Sequence, residues 1–337
     1  MNSIISWVGG KKALRELIYQ RMPKDYGRYI EVFGGGGWVL FGRKPDASME
    51  VYNDYNADLA NLFRCVKERP LALLKELNFL PLNGRDEFNV LKKYLEKEEF
   101  TSEYLREELE LAENCLSPPQ FEEIKSILIE NATMSDVKRA AAFFKLIRYS
   151  YGSGCTSYSC QPFDIRKTFH LIWSGSRRLK DTVIENKDFE ALILQYDRDN
   201  AFFYCDPPYY QTEGHYEVEF KKEDHVRLRD TLKHCKGKWL VSYNDCEYIR
   251  ELYKGYYIEA VTRINNLAQR YEGGCEYPEV LISNYDTAER LRDVPMQIGL
   301  FDMADDFYNA EQQLKKTMRN LNAPIMGNKE EPEYEND

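Results

Sequence analysis

The chain has no stretch of about 18 consecutive apolar residues, so nothing in it reads as a membrane-spanning helix and no membrane partner is expected. It begins MNSIISWVGGKK, without the apolar centre of a secretory leader. The eight cysteines, at 65, 115, 155, 160, 205, 235, 246 and 275, include no C-x-x-C pair, and there are only four histidines. Those two shortages leave no zinc pattern and no expected metal. They favour reduced thiols in a cytoplasmic protein over a disulfide scaffold. Internal repeats are absent as well.

An excess of positive charge is also missing. The net charge is −10 over 337 residues, which at first argues against a polyanionic partner. The acidity is local, however. Residues 95–136 carry 12 acidic and 3 basic side chains, and residues 328–337 carry 5 and 1. Without those two segments the chain is slightly basic. Residues 137–180 hold nine Lys and Arg, at 138, 139, 145, 148, 166, 167, 177, 178 and 180, against Asp164 alone. A local surface of that kind binds phosphates even on an acidic protein. Lys138, Arg139 and Arg148 are the first candidates for it, with a solvated helix face as the alternative.

What the chain does contain is alternation of strands and helices. A helix is expected over 10–22, a strand at RYIEVF (28–33), a helix, a strand at MEVYND (49–54), and a helix over 58–67 that stops before Pro70. Strand, glycine turn, helix and strand in succession predict a doubly wound, mostly parallel α/β sheet. Between 79 and 136 the composition shifts to Leu, Glu and Lys at helical spacing, with a break at Pro118-Pro119. A helix over 135–149 follows, then a loop rich in Tyr, Ser and Gly, YSYGSGCTSYSC (149–160). Strands resume at 182–189, 201–206, 238–245, 256–263 and 279–285. This order predicts a discontinuous catalytic domain, 1–78 and 169–300, interrupted by a mainly helical insert over 79–168. An acidic, partly disordered tail is expected over 301–337.

Four short motifs carry chemistry. Asp206-Pro207-Pro208-Tyr209 ends the apolar strand AFFYC. In a doubly wound sheet the crevice lies beyond the carboxyl ends of the strands. Two prolines fix the backbone and remove two donors, leaving carbonyls to accept. Asp206 and the Pro207 carbonyl would then accept both hydrogens of an amino group while Tyr209 stacks on a flat base. A rigid polar turn is the alternative. Phe33-Gly34-Gly35-Gly36-Gly37 after a strand lets backbone approach a nucleotide-like cofactor, or makes a plain tight turn. Asp54, at the end of the next strand, suits ribose hydroxyls, or helix capping. Trp7-Val8-Gly9-Gly10-Lys11 sets a ring and a cation beside a flexible turn, fit for a cofactor carboxylate or merely exposed.

In this order the four motifs resemble those of the Dam-type adenine-specific DNA methyltransferases (the D12 class, alpha-group), with W-x-G-G-K, F-x-G-x-G, a target-recognition insert and D-P-P-Y. The similarity covers Trp7–Lys11, Glu31–Phe41, Val51–Leu59, Arg85–Asn89, Ala201–Tyr209 and the later EVLISNY. It implies a Rossmann-like methyltransferase sheet and S-adenosyl-L-methionine as cofactor, released as S-adenosyl-L-homocysteine. The cofactor would be bound by Trp7, Lys11, Phe33, Gly35, Gly37, Asp54 and Asp206. Catalysis on a flipped-out adenine 6-amino group would fall to Asp206, Pro207 and Tyr209. The implied partner is double-stranded DNA, read by the insert, with Tyr151 and Tyr158 of the Tyr-rich loop touching bases. That loop has no basic residue, a departure from the Dam group, whose loop offers an arginine to guanine. A monomer and a cognate restriction endonuclease complete the expectation. Methylation of a cytosine 4-amino group or of RNA, a nicotinamide dehydrogenase, and a DNA-binding module without catalysis are the competing functions. A dehydrogenase leaves D-P-P-Y and W-x-G-G-K unexplained.

Overall fold

In the computed structural model of the chain the described residues are 1–78, 84–96, 105–134, 136–160, 163–210, 220–264 and 276–288. Strands β1 (Arg28–Glu31), β2 (Met49–Asn53), β3 (Thr182–Glu185), β4 (Ala201–Cys205), β5 (Lys238–Asn244), β6 (Tyr257–Ile264) and β7 (Glu276–Ser283) form one sheet. Their order is β3-β2-β1-β4-β5-β7-β6, and β7 alone is antiparallel to its neighbours. Central strands buried on both faces need apolar residues at successive positions, and AFFYC of β4 is buried throughout. Tyr29, Tyr52, Phe202, Tyr204, Leu240 and Leu281 join one helix-covered core. Ile30, Val51, Phe203, Cys205, Val241 and Ile282 join the other.

The first core is covered by α1 (Arg15–Arg21), α2 (Trp38–Gly42), α3 (Ala57–Glu68), α4 (Pro70–Asn78), α8 (Val137–Tyr149) and α9 (Phe169–Leu179). The second packs against α10 (Phe189–Tyr196), α11 (Lys222–Lys233) and α12 (Glu247–Leu252). Strand order reverses between β1 and β4, and a crevice opens beyond the carboxyl ends at such a point. Helix α3 starts there because the Asn56 side chain accepts the Asp58 and Leu59 N–H groups.

In the chain between β2 and β3 come α5 (Arg85–Leu95), α6 (Leu105–Cys115) and α7 (Gln120–Met134), the last two separated at the expected Pro118-Pro119 break. Helix α8, capped by Asp136, falls inside the span expected to be an insert. It nonetheless packs on α3, α4 and α5, and Val137, Ala140, Phe143, Phe144 and Ile147 share the core with β1 and β2. The three alanines at 140–142 let it approach closely. The compact unit is Met1–Leu291; the tail expected over 301–337 lies outside the described residues. No disulfide joins any of the seven described cysteines. Among the described residues no helix is long and apolar enough to cross a membrane, and no group of His, Cys, Asp and Glu is placed to hold a metal.

Candidate active site

The turn after β1 is built by close backbone contacts. Gly34 donates to the Asn53 carbonyl at 2.7 Å, and Gly37 closes onto the Gly34 carbonyl at 2.7 Å. A Cβ at Gly34 would stand 2.2 Å from the Tyr52 ring, and Gly35 has φ +48°, so only glycine serves at both positions. Asp54 Oδ2 accepts the Gly35 N–H at 2.7 Å while its Oδ1 accepts the Asn56 N–H at 2.8 Å. Burial pushes the Asp54 carboxyl up to about 6, against the pull of those two N–H groups. Asn56, not Asp54, is the cap of α3; Asp54 ties the next strand's loop to the glycine turn.

Beyond β4, Asp206 meets Lys11. The Lys11 ammonium, only 3% exposed, lies 2.8 Å from Asp206 Oδ1 and 3.9 Å from Glu279 Oε2. It also donates to the Gly9 carbonyl at 3.2 Å. Lys11 is therefore an internal cation, not an exposed one. Its charge also sits 4.6 Å above the Tyr209 ring. One face of that ring is covered, so a base stacking on Tyr209 would take the other. The Tyr209 hydroxyl donates to Glu279 Oε2 at 2.6 Å. From β5, the Ser242 hydroxyl reaches Asp206 Oδ1 at 3.4 Å and lies 2.8 Å from the Tyr204 hydroxyl. Asn244 donates to the Tyr210 carbonyl at 3.1 Å and pins the loop from behind.

A cavity of about 240 Å³ opens between these turns. Of the residues expected to bind a cofactor, Trp7, Lys11, Phe33, Gly35, Asp54 and Asp206 line it. Gly37 instead closes the turn at the start of α2 with φ +66°. Pro207 is buried, and Tyr209 lies across Lys11 from the cavity, which Pro208 lines.

Sequence patterns missed several walls. Phe33, Phe189 and Phe220 form an apolar cluster with ring centroids 5.7 to 5.9 Å apart. Asp188 caps α10 and pairs with the Arg227 guanidinium at 2.8 and 2.9 Å, and that guanidinium lies 4.1 Å over Phe189. Lys-Asp-Phe directly after a strand was the available signal. Glu31, at the end of β1, is buried and lines the cavity too. Burial pushes its carboxyl up to about 8; the Tyr29 hydroxyl, donating at 2.7 Å, opposes that rise and the Asp206 charge adds to it.

The residues expected to meet DNA separate. Arg139 is turned inward: its guanidinium grips both oxygens of Asp58 and donates to the Leu95 carbonyl at 2.8 Å. Arg148 donates to the Ile4 carbonyl and lies 5.3 Å over the Phe144 ring. Both are bound within the fold, because α8 is a core helix and its long cationic stems cross apolar packing to reach acceptors. Lys145 is buried likewise, and Lys138 is half-exposed. The exposed cations of the segment lie further on, in the 3-10 turn Ile165–Thr168 (Arg166, Lys167) and on α9 (Arg177 and, just past it, Lys180). In the Tyr-rich loop, Tyr151 is 51% exposed, while Tyr158 is half-buried with its ring 5.8 Å from Phe88. The loop folds back on itself through a Ser150–Tyr158 bridge, and a Cβ at its Gly154 would be 4.0 Å from Val8, next to the Trp7–Lys11 turn.

The family model for the D12 class N6 adenine-specific DNA methyltransferase matches residues 7–269. The Type II methyltransferase M.CviBI of Paramecium bursaria Chlorella virus NC1A is 26% identical over 261 residues, 76% of this chain and 88% of the viral one. The Type II methyltransferase M1.LlaDCHI of Lactococcus lactis subsp. cremoris is 28% identical over 306 residues, 83% of this chain and 94% of the relative. The DNA N-6-adenine-methyltransferase of Escherichia phage P1 is 26% identical over 272 residues, 74% of this chain but 31% of that longer protein.

Proposed function

Because the chain belongs to the D12 class of N6 adenine-specific DNA methyltransferases, and is thus an enzyme that methylates adenine in DNA, we propose S-adenosyl-L-methionine as its methyl donor, held in the cavity between the glycine turn and Asp206. The donor set fits such a molecule. Asp54 and Asp188 are acceptors where ribose hydroxyls and a purine amino group need them, and Phe33, Phe189 and Phe220 offer a flat apolar wall. Lys11 and Asp206 supply opposite charges for an amino-acid end. When bound, the donor supplies a methyl group activated on a sulfonium.

The protein's own task is to prepare the amino nitrogen. An adenine amino group is a weak nucleophile because its lone pair is delocalised into the ring. Asp206 and the Pro207 carbonyl accept its two hydrogens and turn the lone pair toward the methyl, an effect of positioning and fixed charge. The Lys11 ion pair holds Asp206 in place. Since the target atom is out of reach inside a duplex, the base is flipped out, and Tyr209 stacks on it.

The observation that carries this reading is the 2.8 Å pair of Lys11 and Asp206 at one end of a cavity whose other walls are the glycine turn and Asp54. Transfer of a radiolabelled methyl from S-adenosylmethionine to duplex DNA, followed by nucleoside analysis, tests it. Label on N6-methyladenine that disappears in a folded Asp206→Ala protein is expected; turnover surviving in that variant would remove Asp206 from the chemistry. Asp54→Ala should weaken S-adenosylhomocysteine binding by about tenfold or more in calorimetric titration, the loss of a hydrogen bond to a charged acceptor.

DNA contact is assigned to the Tyr-rich loop through Tyr151 and Tyr158, to Lys138, and to Arg166 and Lys167, with residues 79–168 as the DNA-reading segment and α8 as its shared wall with the catalytic core. We further propose a monomer acting in the cytoplasm, and, on the type II names of two relatives, a cognate restriction endonuclease beside it.

A further inference from the structure

The EVLISNY strand resembles its counterpart in the family, yet nothing above gives it a chemical part. Glu279 opens that segment and is 1% exposed. It reaches the site because β7 runs backwards: Glu279 pairs in register with Asn244, the last residue of β5, at the edge where the parallel strands end. Its Oε2 accepts the Tyr209 hydroxyl at 2.6 Å and lies 3.9 Å from the Lys11 ammonium. Lys11 is therefore shared between two carboxylates, close to Asp206 and more distant from Glu279, with the Tyr209 ring beneath it.

We propose that Glu279 is a positioning residue for methyl transfer: it fixes the Tyr209 ring by its hydroxyl and draws part of the Lys11 charge away from Asp206. The inference rests on the roles proposed for Asp206 and Tyr209. A buried tyrosine hydroxyl tethered to a charged acceptor holds its ring in one orientation. An ammonium with a single carboxylate partner would neutralise Asp206 and weaken it as an acceptor for the amino group. With a second carboxylate alongside, Asp206 keeps its negative character.

Five proteins test this in one assay: wild type, Glu279→Gln, Glu279→Ala, Tyr209→Phe and the Glu279→Ala/Tyr209→Phe double variant that closes the cycle. Glu279→Gln keeps an acceptor for the hydroxyl and loses the charge; Tyr209→Phe loses the tether and keeps the charge. Glu279→Ala is expected to lower kcat at least about tenfold while the KM for S-adenosylmethionine moves less than about twofold. Both single changes should lower kcat by less than Glu279→Ala, and the double variant should fall no further than Glu279→Ala alone. A duplex with 2-aminopurine at the target adenine should fluoresce differently in Tyr209→Phe and Glu279→Ala complexes but not in Glu279→Gln, since only the first two release the ring. Wild-type kcat in Glu279→Ala, additive losses in the double variant, or parallel losses in kcat and cofactor binding would each overturn the proposal. If Glu279→Ala does not fold, unchanged kcat in Glu279→Gln overturns the charge-sharing part and unchanged fluorescence in Tyr209→Phe the tether. An inactive wild type would instead refute the donor assignment, so the two failures remain separable.

Discussion

Helix α8 and the segment that runs from Ile165 through α9 carry similar numbers of Lys and Arg, and they use them in opposite ways. On α8 the cations at 139 and 145 are buried, and that at 148 is bound to a backbone carbonyl. On the later segment Arg166, Lys167, Arg177 and Lys180 remain exposed, and only Arg178 turns inward, to Glu50. Cation content along a chain thus says little about where the positive surface lies. What decides is the apolar pattern between the cations: AAAFF forces α8 into the core, whereas α9 buries only Ile172, Gly175 and Leu179.

The sharpest way to break the comparison is Arg139→Ala. It leaves Asp58 half-buried without its guanidinium, and a loss of about 3 kcal/mol in unfolding free energy is expected. Denaturant melts would show it, and a near wild-type midpoint would return Arg139 to the surface. Its salt dependence of DNA binding should be unchanged.

Next in size is the double variant Arg166→Ala/Lys167→Ala. It should melt like the wild type yet flatten the log–log salt dependence of DNA affinity by about two units, one per phosphate contact. Arg177→Ala/Lys180→Ala tests the other end of α9. That helix leads into β3 and so runs away from the active edge, and no change in slope is expected from it.

The tyrosine loop offers a smaller contrast of the same kind. Tyr158→Ala removes a ring packed on Phe88 and should cost about 1–2 kcal/mol of stability. Tyr151→Ala should leave stability within about 0.5 kcal/mol but alter methylation rate or site choice. Equal melting curves for the two would show that neither is packed.

Buried acids give a test of a different kind, read against pH. With its carboxyl pushed up to about 8 in the fold against an ordinary 4.5, Glu31 holds a proton that the unfolded chain releases over that interval. Its contribution is fully present below pH 4.5 and is lost as pH rises through about 8, so stability should decline across that span. Glu31→Gln should flatten this part of the decline, read from melts at pH 6 and 9. A steeper decline in the variant would contradict a protonated Glu31.

The parts of the site legible in the sequence are those made by neighbours in the chain. The glycine turn, Asp54 and D-P-P-Y each announce themselves just after a strand end, and W-V-G-G-K announces itself as five consecutive residues before the first helix. Partners that come from far away did not: Asp58 meets Arg139 81 residues later, and Glu279 meets Tyr209 at a separation of 70. Asp188 was hidden differently, because an acid before a helix reads equally as a cap, and here it is one. The fold was legible where strands are uniformly apolar. The place of α8 was not, since its four cations mask the AAAFF run that carries it into the core.

The reversal of β7 ties sheet pairing to chemistry. Glu279 and Leu281 point to one side of the strand, Val280 and Ile282 to the other. A register shift of one residue exchanges the two sides. The sheet could tolerate such a slip in hydrogen bonding, because every strand partner would still find a backbone mate. The active site could not: an aliphatic side chain would face Lys11, and the hydroxyl of Tyr209 would lose its acceptor. Correct pairing of an edge-side strand is in this enzyme a condition for activity as much as for folding.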